Sequence, residues 1–321
     1  MKTSANLIGG SVLEQYEQTY AQYLVKYVDT YRSYGIPIFA LTLQNEPGFI
    51  PVTYPGMELP AGQRARIIAK YLGPALASRT PKTRILGWDH NWDEPDQPLS
   101  VLADPDAAPY VDGVAWHCYR GSPVAQTQVH RAYPKKDAYI TECSGGDWAS
   151  SENGELLWFA RDLLLAGLRN WARGVIYWNL AVDEHYGPHF GGCSNCKGMV
   201  TIDSLTGAVS RNDYYYAFAH FSRFVLPGAV RVNSSTTIKG LANVAFRNVD
   251  DGSIVLVLVN GKTDTQAVSV MQDKNRFQYT LPPESVTTFV WGGAQNQSPW
   301  RRWLQRYFER TPVPAAAGTS G

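Results

Sequence analysis

The first two thirds of the chain alternate helical and strand-like hydrophobic patterns. Residues 12–34 place Leu13, Tyr16, Tyr20, Tyr23, Leu24, Tyr27, Val28 and Tyr31 at helical spacing, and Gly35 ends the run. The strand-like I-P-I-F-A-L-T-L follows. A second helix is predicted over 61–79, then a strand, R-I-L-G-W-D, at 84–89. V-D-G-V-A-W-H at 111–117 is the next apolar run, followed by a short helix near 123–131 and A-Y-I-T-E at 138–142. A helix over 153–170 aligns Leu156, Leu157, Phe159, Ala160, Leu163, Leu164 and Leu168, and leads into G-V-I-Y-W-N-L at 174–180. Strands alternating with helices predict parallel β/α units and an α/β fold. Five such strands are visible, whereas a closed barrel of this type needs eight. The expectation is an incomplete (β/α)8 TIM barrel of about five units across residues 1–226.

After a helix predicted at about 213–226 the period shortens. Residues 229–291 alternate the short runs A-V-R-V, N-V-A-F-R, S-I-V-L-V-L-V-N, Q-A-V-S-V and S-V-T-T-F-V-W with turn signals. The D-D-G at 250–252 marks a hairpin. This predicts a C-terminal antiparallel β-sandwich domain over 227–293. A basic aromatic tail occupies 294–321. Its W-R-R-W-L-Q-R-Y-F-E-R segment suits an amphipathic helix docked on a neighbour or a frayed end, and its last ten residues have a disordered composition.

Composition narrows the class. Hydrophobic residues at 44% and charged residues at 18% are ordinary for a globular protein. A formal net charge of +1 gives no electrostatic reason to expect nucleic acid or an anionic membrane as partner. No apolar run approaches the roughly 18 residues that read as a membrane span. The first ten residues lack the apolar core of a signal peptide, so the chain as it stands reads as cytoplasmic, or as secreted if a longer precursor exists. The 10 Trp, 19 Tyr and 11 Phe fill a core, or supply faces on which sugar rings stack.

Two short strings carry the chemistry. L-T-L-Q-N-E-P and A-Y-I-T-E-C-S-G-G each begin as an apolar run and end in a carboxylate, Glu46 and Glu142. A barrel presents catalytic groups at the C-terminal ends of its strands. Two acids facing one another across a pocket are the minimum equipment for glycoside cleavage, and a retaining enzyme holds them about 5–5.5 Å apart. Asn45, beside Glu46, is placed to hydrogen-bond a sugar hydroxyl. His117 alone reads more readily as a structural histidine, and Trp178 as either core or sugar platform, its strand-end position favouring the platform.

The chain resembles glycoside hydrolase family 30, which includes glucosylceramidases, β-1,6-glucanases and related β-glycosidases. The matching strings are M-K-T-S-A-N-L-I-G-G, I-P-I-F-A-L-T-L-Q-N-E-P, V-A-W-H-C-Y, I-T-E-C-S-G-G, W-N-L-A-V-D, G-G-C-S-N-C-K-G-M-V-T-I-D and Y-Y-A-F-A-H-F-S-R-F-V-L-P-G-A-V-R-V. The resemblance implies Glu46 as acid/base at a fourth barrel strand and Glu142 as nucleophile at a seventh. It implies His117 and Tyr119 as a sixth-strand pair lining the sugar site, with Trp178 and Asn179 on the eighth. The substrate expected is a β-glucoside, glucosylceramide-like or β-1,6-glucan, hydrolysed without cofactor or metal through a covalent glycosyl-enzyme. For that division of labour Glu46 should have the higher pKa of the two acids.

The resemblance also implies that three preceding β/α units are missing. The chain is then expected to self-associate so that a neighbour covers the open edges. The alternative is a catalytically weak homologue that binds carbohydrate or self-assembles. Cys118 and Cys143 read as buried thiols. His185, His189, Cys193 and Cys196 follow H-x3-H-x3-C-x2-C, which leaves zinc, a Cys193–Cys196 disulfide and free thiols open.

Overall fold

A computed structural model describes residues 1–148, 154–235 and 239–293. The expected tail at 294–321 lies outside the described residues. The chain divides into two compact units, one from Met1–Trp148 and Ala166–Ser210, the other from Ala149–Leu165 and Arg211–Gly321.

The first unit is built on five parallel strands: β1 (Ala40–Thr42), β2 (Arg84–Asn91), β3 (Val111–His117), β4 (Asp137–Glu142) and β5 (Ala172–Val175). They lie side by side in chain order, with a crossover helix between successive strands, as parallel pairing requires. Among the described residues the sheet is open: β1 pairs only with β2, and β5 only with β4. The helices of this unit are α1 (Glu17–Ser33), α2 (Ala61–Ile67), α3 (Asp96–Ala103) and α4 (Val124–Ala132). α2 runs on through a π-helical turn at Ile68–Leu72 into Gly73–Ala77, which makes up the predicted second helix.

Central parallel strands are covered on both faces and so read as nearly unbroken apolar runs. Ile85, Leu86, Trp88, Val111, Val114, Ala115, Trp116 and Ile140 are all buried. Gly113 lets β3 and β4 approach: a Cβ there would lie 2.5 Å from the Asp137 carbonyl oxygen. On α1 the structure corrects the sequence pattern. The buried stripe is Glu17, Ala21, Leu24 and Val28, while Tyr23, Tyr27 and Tyr31 stand in solvent. A buried glutamate survives on that stripe because Arg66 and Gln63 meet it, with Arg66 Nε 2.9 Å from Oε2 and Gln63 Nε2 2.9 Å from Oε1.

The expected strand over 174–180 also needs correction. Its regular ladder ends at Val175. Beyond it the backbone still donates to the β4 side, Ile176 N to Ile140 O at 2.8 Å and Trp178 N to Cys143 O at 3.0 Å, but no longer in strand register.

The second unit contains the start of the helix that opens at Gly154–Trp158 (α5) and continues π-helically through Phe159–Leu165. It also holds α6 (Asp213–Ser222), whose Tyr214 packs edge-on against Phe159 with centroids 5.1 Å apart. The strands are β6 (Val230–Val232), β7 (Leu241–Arg247), β8 (Ile254–Asn260), β9 (Gln266–Gln272), β10 (Asn275–Leu281) and β11 (Ser285–Trp291). β6, β7, β8 and β11 form one antiparallel sheet, and β9 with β10 form a hairpin. The hairpin packs on the sheet through Val268, Val270 and Leu281, which join Leu241, Ala245, Leu256, Leu258, Phe289 and Trp291 in one apolar cluster. β7 and β8 meet at the predicted D-D-G turn, where Gly252 has φ +74°. β10 was not expected. Its N-R-F-Q-Y-T-L alternates Phe277, Tyr279 and Leu281 with polar residues, and Phe277 and Tyr279 pack against Phe289 of β11 with ring centroids 5.1 and 5.2 Å away.

Candidate active site

Polar side chains collect at the C-terminal ends of β1 to β4. Asn91, His117 and Glu142 fall in one row across three neighbouring strands, through the pairs Asn91 with His117 and His117 with Glu142. The ladder shifts by one residue between Trp116 and His117. Such an irregularity re-aims side chains, and here it pairs His117 with the acid instead of with Thr141.

Glu46 reaches the same place from the loop after β1. Its φ is +48°, a left-handed conformation that costs a non-glycine residue about 1–2 kcal/mol. Two hydrogen bonds hold it there: Glu46 N donates to Asp89 O at 2.9 Å, and Phe49 N donates to Glu46 O at 3.0 Å. Strain kept at this position points to a functional demand on the side chain.

Both acids meet one imidazole. His117, only 1% exposed, places Nδ1 3.0 Å from Glu46 Oε1, and Nε2 3.1 Å from Asp89 Oδ1 and 4.0 Å from Glu142 Oε2. Asp89 is itself fixed by two hydroxyls, from Thr42 to Oδ2 and from Thr141 to Oδ1, each at 2.7 Å. His90 Nδ1 lies 3.3 Å from Glu46 Oε1, close enough to stabilise the Glu46 carboxylate although it falls short of an aligned hydrogen bond. On the other side Tyr119 OH donates to Glu142 Oε1 at 2.8 Å, Ser144 Oγ lies 3.3 Å from that phenol oxygen, and Asn91 Oδ1 accepts from Tyr119 N at 3.0 Å.

This arrangement inverts the expected order of acidity in the unliganded site. Burial works to raise the Glu46 pKa, but His117 and His90 together overcome it and hold the carboxyl at about 2. Burial also raises Glu142, with Glu46 and Asp89 adding repulsion that the charge on His117 and the Tyr119 hydrogen bond do not cancel. Burial alone would lower His117, yet its bonds to Asp89 and Glu46 push it up to about 9. The expectation that Glu46 holds the higher pKa is therefore corrected: at neutral pH the free site places a positive charge on His117 and a negative one on Glu46.

The other residues singled out from sequence lie around this cluster. Asn45 is exposed beside Glu46, and Tyr119 is 41% exposed. Trp178 is 49% exposed, and its N donates to Cys143 O, one residue past Glu142. Asn179 is half-buried, and its Oδ1 has no hydrogen-bond partner. Four neighbours were not anticipated. Asp89, His90 and Asn91 end β2, where D-H-N after an apolar strand repeats the signal that identified Glu46 and Glu142. Tyr54, from the loop beyond Glu46, has its pKa raised by burial and by both acids.

One cysteine pair differs from expectation, and the other takes one of the alternatives left open. Cys118 and Cys143 form a disulfide. Because His117 pairs with Glu142, the residues that follow them are neighbours, with Cα atoms 5.3 Å apart, within disulfide reach. Cys193 and Cys196 form a second disulfide, which removes both thiolates from the zinc spacing. Among the described residues, Glu46, His90 and His117 each offer one ligand atom within 4.8 Å of the others, close enough to touch one cation. A ligand lone pair exists on His117 Nδ1 only when that nitrogen is unprotonated. No described helix is long and apolar enough to cross a membrane.

Residues 1–225 match the family model for the glycosyl hydrolase family 30 TIM-barrel domain, and residues 228–289 match that for the family's β-sandwich domain. The chain belongs to glycosyl hydrolase family 30. It is 36% identical over 294 residues to endo-1,6-β-D-glucanase neg1 of Aspergillus fumigatus, covering 88% of this chain and 58% of that protein. It is 29% identical over 321 residues to the lysosomal acid glucosylceramidase of Mus musculus, covering 91% of this chain and 59% of that protein. Among solved structures it matches the endo-β1,6-glucanase BT3312 with a TM-score of 0.84 and 32% identity, over 90% of this chain and 66% of that one. The chain thus spans less than two thirds of the length of these family 30 relatives.

Proposed function

We propose that the chain is a retaining β-glycosidase whose nucleophile is Glu142 and whose acid/base is Glu46. The observation that carries this is the shared imidazole, which brings two strand-end carboxylates to within 3.0 and 4.0 Å of one ring. In the first step Glu142 attacks the anomeric carbon while Glu46 protonates the departing oxygen. In the second, Glu46 takes a proton from water as that water displaces Glu142. Tyr119 steadies the Glu142 carboxylate before attack. Exposed Trp178, just beyond β5, offers a face for the sugar ring.

The substrate proposed is a β-1,6-linked glucan. Identity is higher to relatives named endo-1,6-β-D-glucanases, 36% and 38%, than to the mouse glucosylceramidase at 29%. The test is intact mass after incubation with 2,4-dinitrophenyl 2-deoxy-2-fluoro-β-glucoside, followed by peptide mapping. One fluoroglucosyl ester on Glu142 is expected. Absence of an ester and of turnover on linear β-1,6-glucan and aryl β-glucosides would leave only a carbohydrate binder. Turnover of glucosylceramide without turnover of the glucan would overturn the substrate assignment alone.

A further inference from the structure

We propose that His117 stores the proton that Glu46 delivers, so that the general acid of this site is the His117–Glu46 pair rather than Glu46 alone. The proposal rests on Glu46 being the acid/base. It begins from hydrogen-bond inventory. An ionised carboxylate only accepts. Asp89 takes hydrogen bonds from the hydroxyls of Thr42 and Thr141 and faces His117 Nε2 at 3.1 Å, so Nε2 is held as N–H. The facing atoms Nδ1 and Glu46 Oε1, 3.0 Å apart, then hold one proton between them. With that proton on Nδ1 the pair is imidazolium and carboxylate; with it on Oε1 the pair is neutral imidazole and carboxylic acid. Both states satisfy every partner without moving a heavy atom.

The free site favours the first state, with His117 raised to about 9 and Glu46 held at about 2. A carboxyl so acidic would be nearly empty of protons at neutral pH and a poor acid by itself. The groups that face His117 show how catalysis reverses the preference. They are Glu46 from the loop after β1, Asp89 and His90 from β2, Glu142 from β4, and Tyr119 just beyond its own strand. Glu142 is one of the charges that raise His117. As it bonds to the anomeric carbon its negative charge disappears, 4.0 Å from the ring, and the imidazolium loses support when the leaving oxygen needs a proton. A bound sugar also excludes water, which further disfavours the charge-separated state.

The steps balance. In glycosylation the bond from the anomeric carbon to the leaving oxygen breaks and the ester bond to Glu142 forms. The leaving oxygen takes a proton from the Glu46 carboxyl, which had received it from Nδ1, and His117 becomes neutral. In deglycosylation water oxygen bonds to the anomeric carbon and the ester bond breaks. Glu46 accepts the water proton and returns it to Nδ1. The net reaction is hydrolysis of one glycosidic bond. His117 is thus a positioning residue that acts through Glu46.

Leaving-group dependence separates this from a packing role. His117→Asn keeps an N–H donor that cannot ionise. On linear β-1,6-glucan, whose leaving alcohol needs protonation, kcat/KM is expected to fall roughly 10²-fold or more, the scale of a lost general acid. On 2,4-dinitrophenyl β-glucoside, whose phenolate leaves unaided, the fall should be many times smaller, and the alkaline limb of the glucan pH profile should move to lower pH. Glu46→Gln is measured alongside. If Glu46→Gln shows the leaving-group signature and His117→Asn slows both substrates equally with its alkaline limb unmoved, His117 is structural and the proposal is wrong. If Glu46→Gln itself lacks the signature, the acid/base assignment fails instead. Asp89→Asn leaves the ring in place and weakens its charge, so it must lower the same limb. It supplies the test if His117→Asn does not fold.

Discussion

Tyr119→Phe tests the reading of Glu142 as a nucleophile kept ionised against its surroundings. Burial and two nearby carboxylates raise the Glu142 pKa, while the charge on His117 and the Tyr119 hydroxyl oppose them. The hydroxyl donates at 2.8 Å to Oε1, a neutral donor on a charged acceptor. Such a bond is worth about 1.5–3 kcal/mol, and at 1.36 kcal/mol per unit its loss should raise the Glu142 pKa by roughly 1–2 units. The nucleophile must be ionised to attack, so activity is present above its pKa and lost as pH falls through it. Removing the hydroxyl therefore moves the acid limb of kcat/KM upward by that amount. Well above the limb the loss should be small, because the carboxylate charge that Tyr119 stabilises is itself consumed in the transition state. The assay is kcat/KM for an aryl β-glucoside across the acid range, wild type against Tyr119→Phe. A uniform fall at every pH with the limb unmoved would show that Tyr119 acts on the sugar and not on Glu142.

Three further outcomes are expected. Glu17→Gln should destabilise the first unit by about 1–3 kcal/mol, below the 3–5 of a fully buried pair because Arg66 is 35% exposed and regains water. The Glu17 pKa is lowered in the folded state, so its contribution is present above the unfolded carboxylate value and lost as pH falls through the folded one. Urea melts should show the gap at pH 7 closing as pH falls below the ordinary carboxylate range, and an unchanged gap would remove the ion-pair explanation. Separately, Cys118→Ser with Cys143→Ser opens a crosslink spanning 25 residues and should cost about 3.5 kcal/mol on the chain-entropy account, read as a lower unfolding midpoint. Ile140→Ala, at a fully buried position on β4, should cost about 2–5 kcal/mol, whereas Ile140→Val should cost about 0.5–1.5, both read in the same melts.

The sequence carried the architecture because burial on both faces of a parallel sheet leaves unbroken apolar runs. V-D-G-V-A-W-H and S-V-T-T-F-V-W were bounded to the residue, Val111–His117 and Ser285–Trp291. β10 escaped although Phe277, Tyr279 and Leu281 alternate with polar residues, because the turn that sets it off from β9, Asp273-Lys274, carries no Gly or Pro. The α1 stripe was misjudged because tyrosine tolerates water, and a buried Glu17 is intelligible only once Arg66 arrives from 49 residues away. The same holds at the site. Glu46 and Glu142 were legible as strand-end acids, but Asp89 and His90 were not, although G-W-D-H-N has the same form. Their significance lies in which neighbouring strand they face. The Cys118–Cys143 bridge likewise depends on the register that pairs His117 with Glu142.

Register also decides which acid carries which charge. Glu46 and Glu142 are the same residue type, each at a strand end, each buried enough to disfavour ionisation. What separates them is that Glu46 leaves its strand on a left-handed turn and meets His117 Nδ1 and His90, while Glu142 stays in register with His117 and meets Tyr119. At Glu46 two imidazoles outweigh burial, whereas at Glu142 one phenol and the more distant His117 do not outweigh burial and two carboxylates, and the shifts are opposite. For the proposed mechanism that order suits the resting site and not the moment of attack, since the leaving oxygen needs its proton from the acid that holds it least. The conflict is resolved if the proton is counted for the cluster instead of for each residue. Asp89, His117 and Glu46 together keep one transferable proton, and the position of that proton responds to the charge on Glu142. On the proposed mechanism the nucleophile's own reaction then releases the acid, which couples the two carboxylates through a residue that touches neither the bond being made nor the bond being broken.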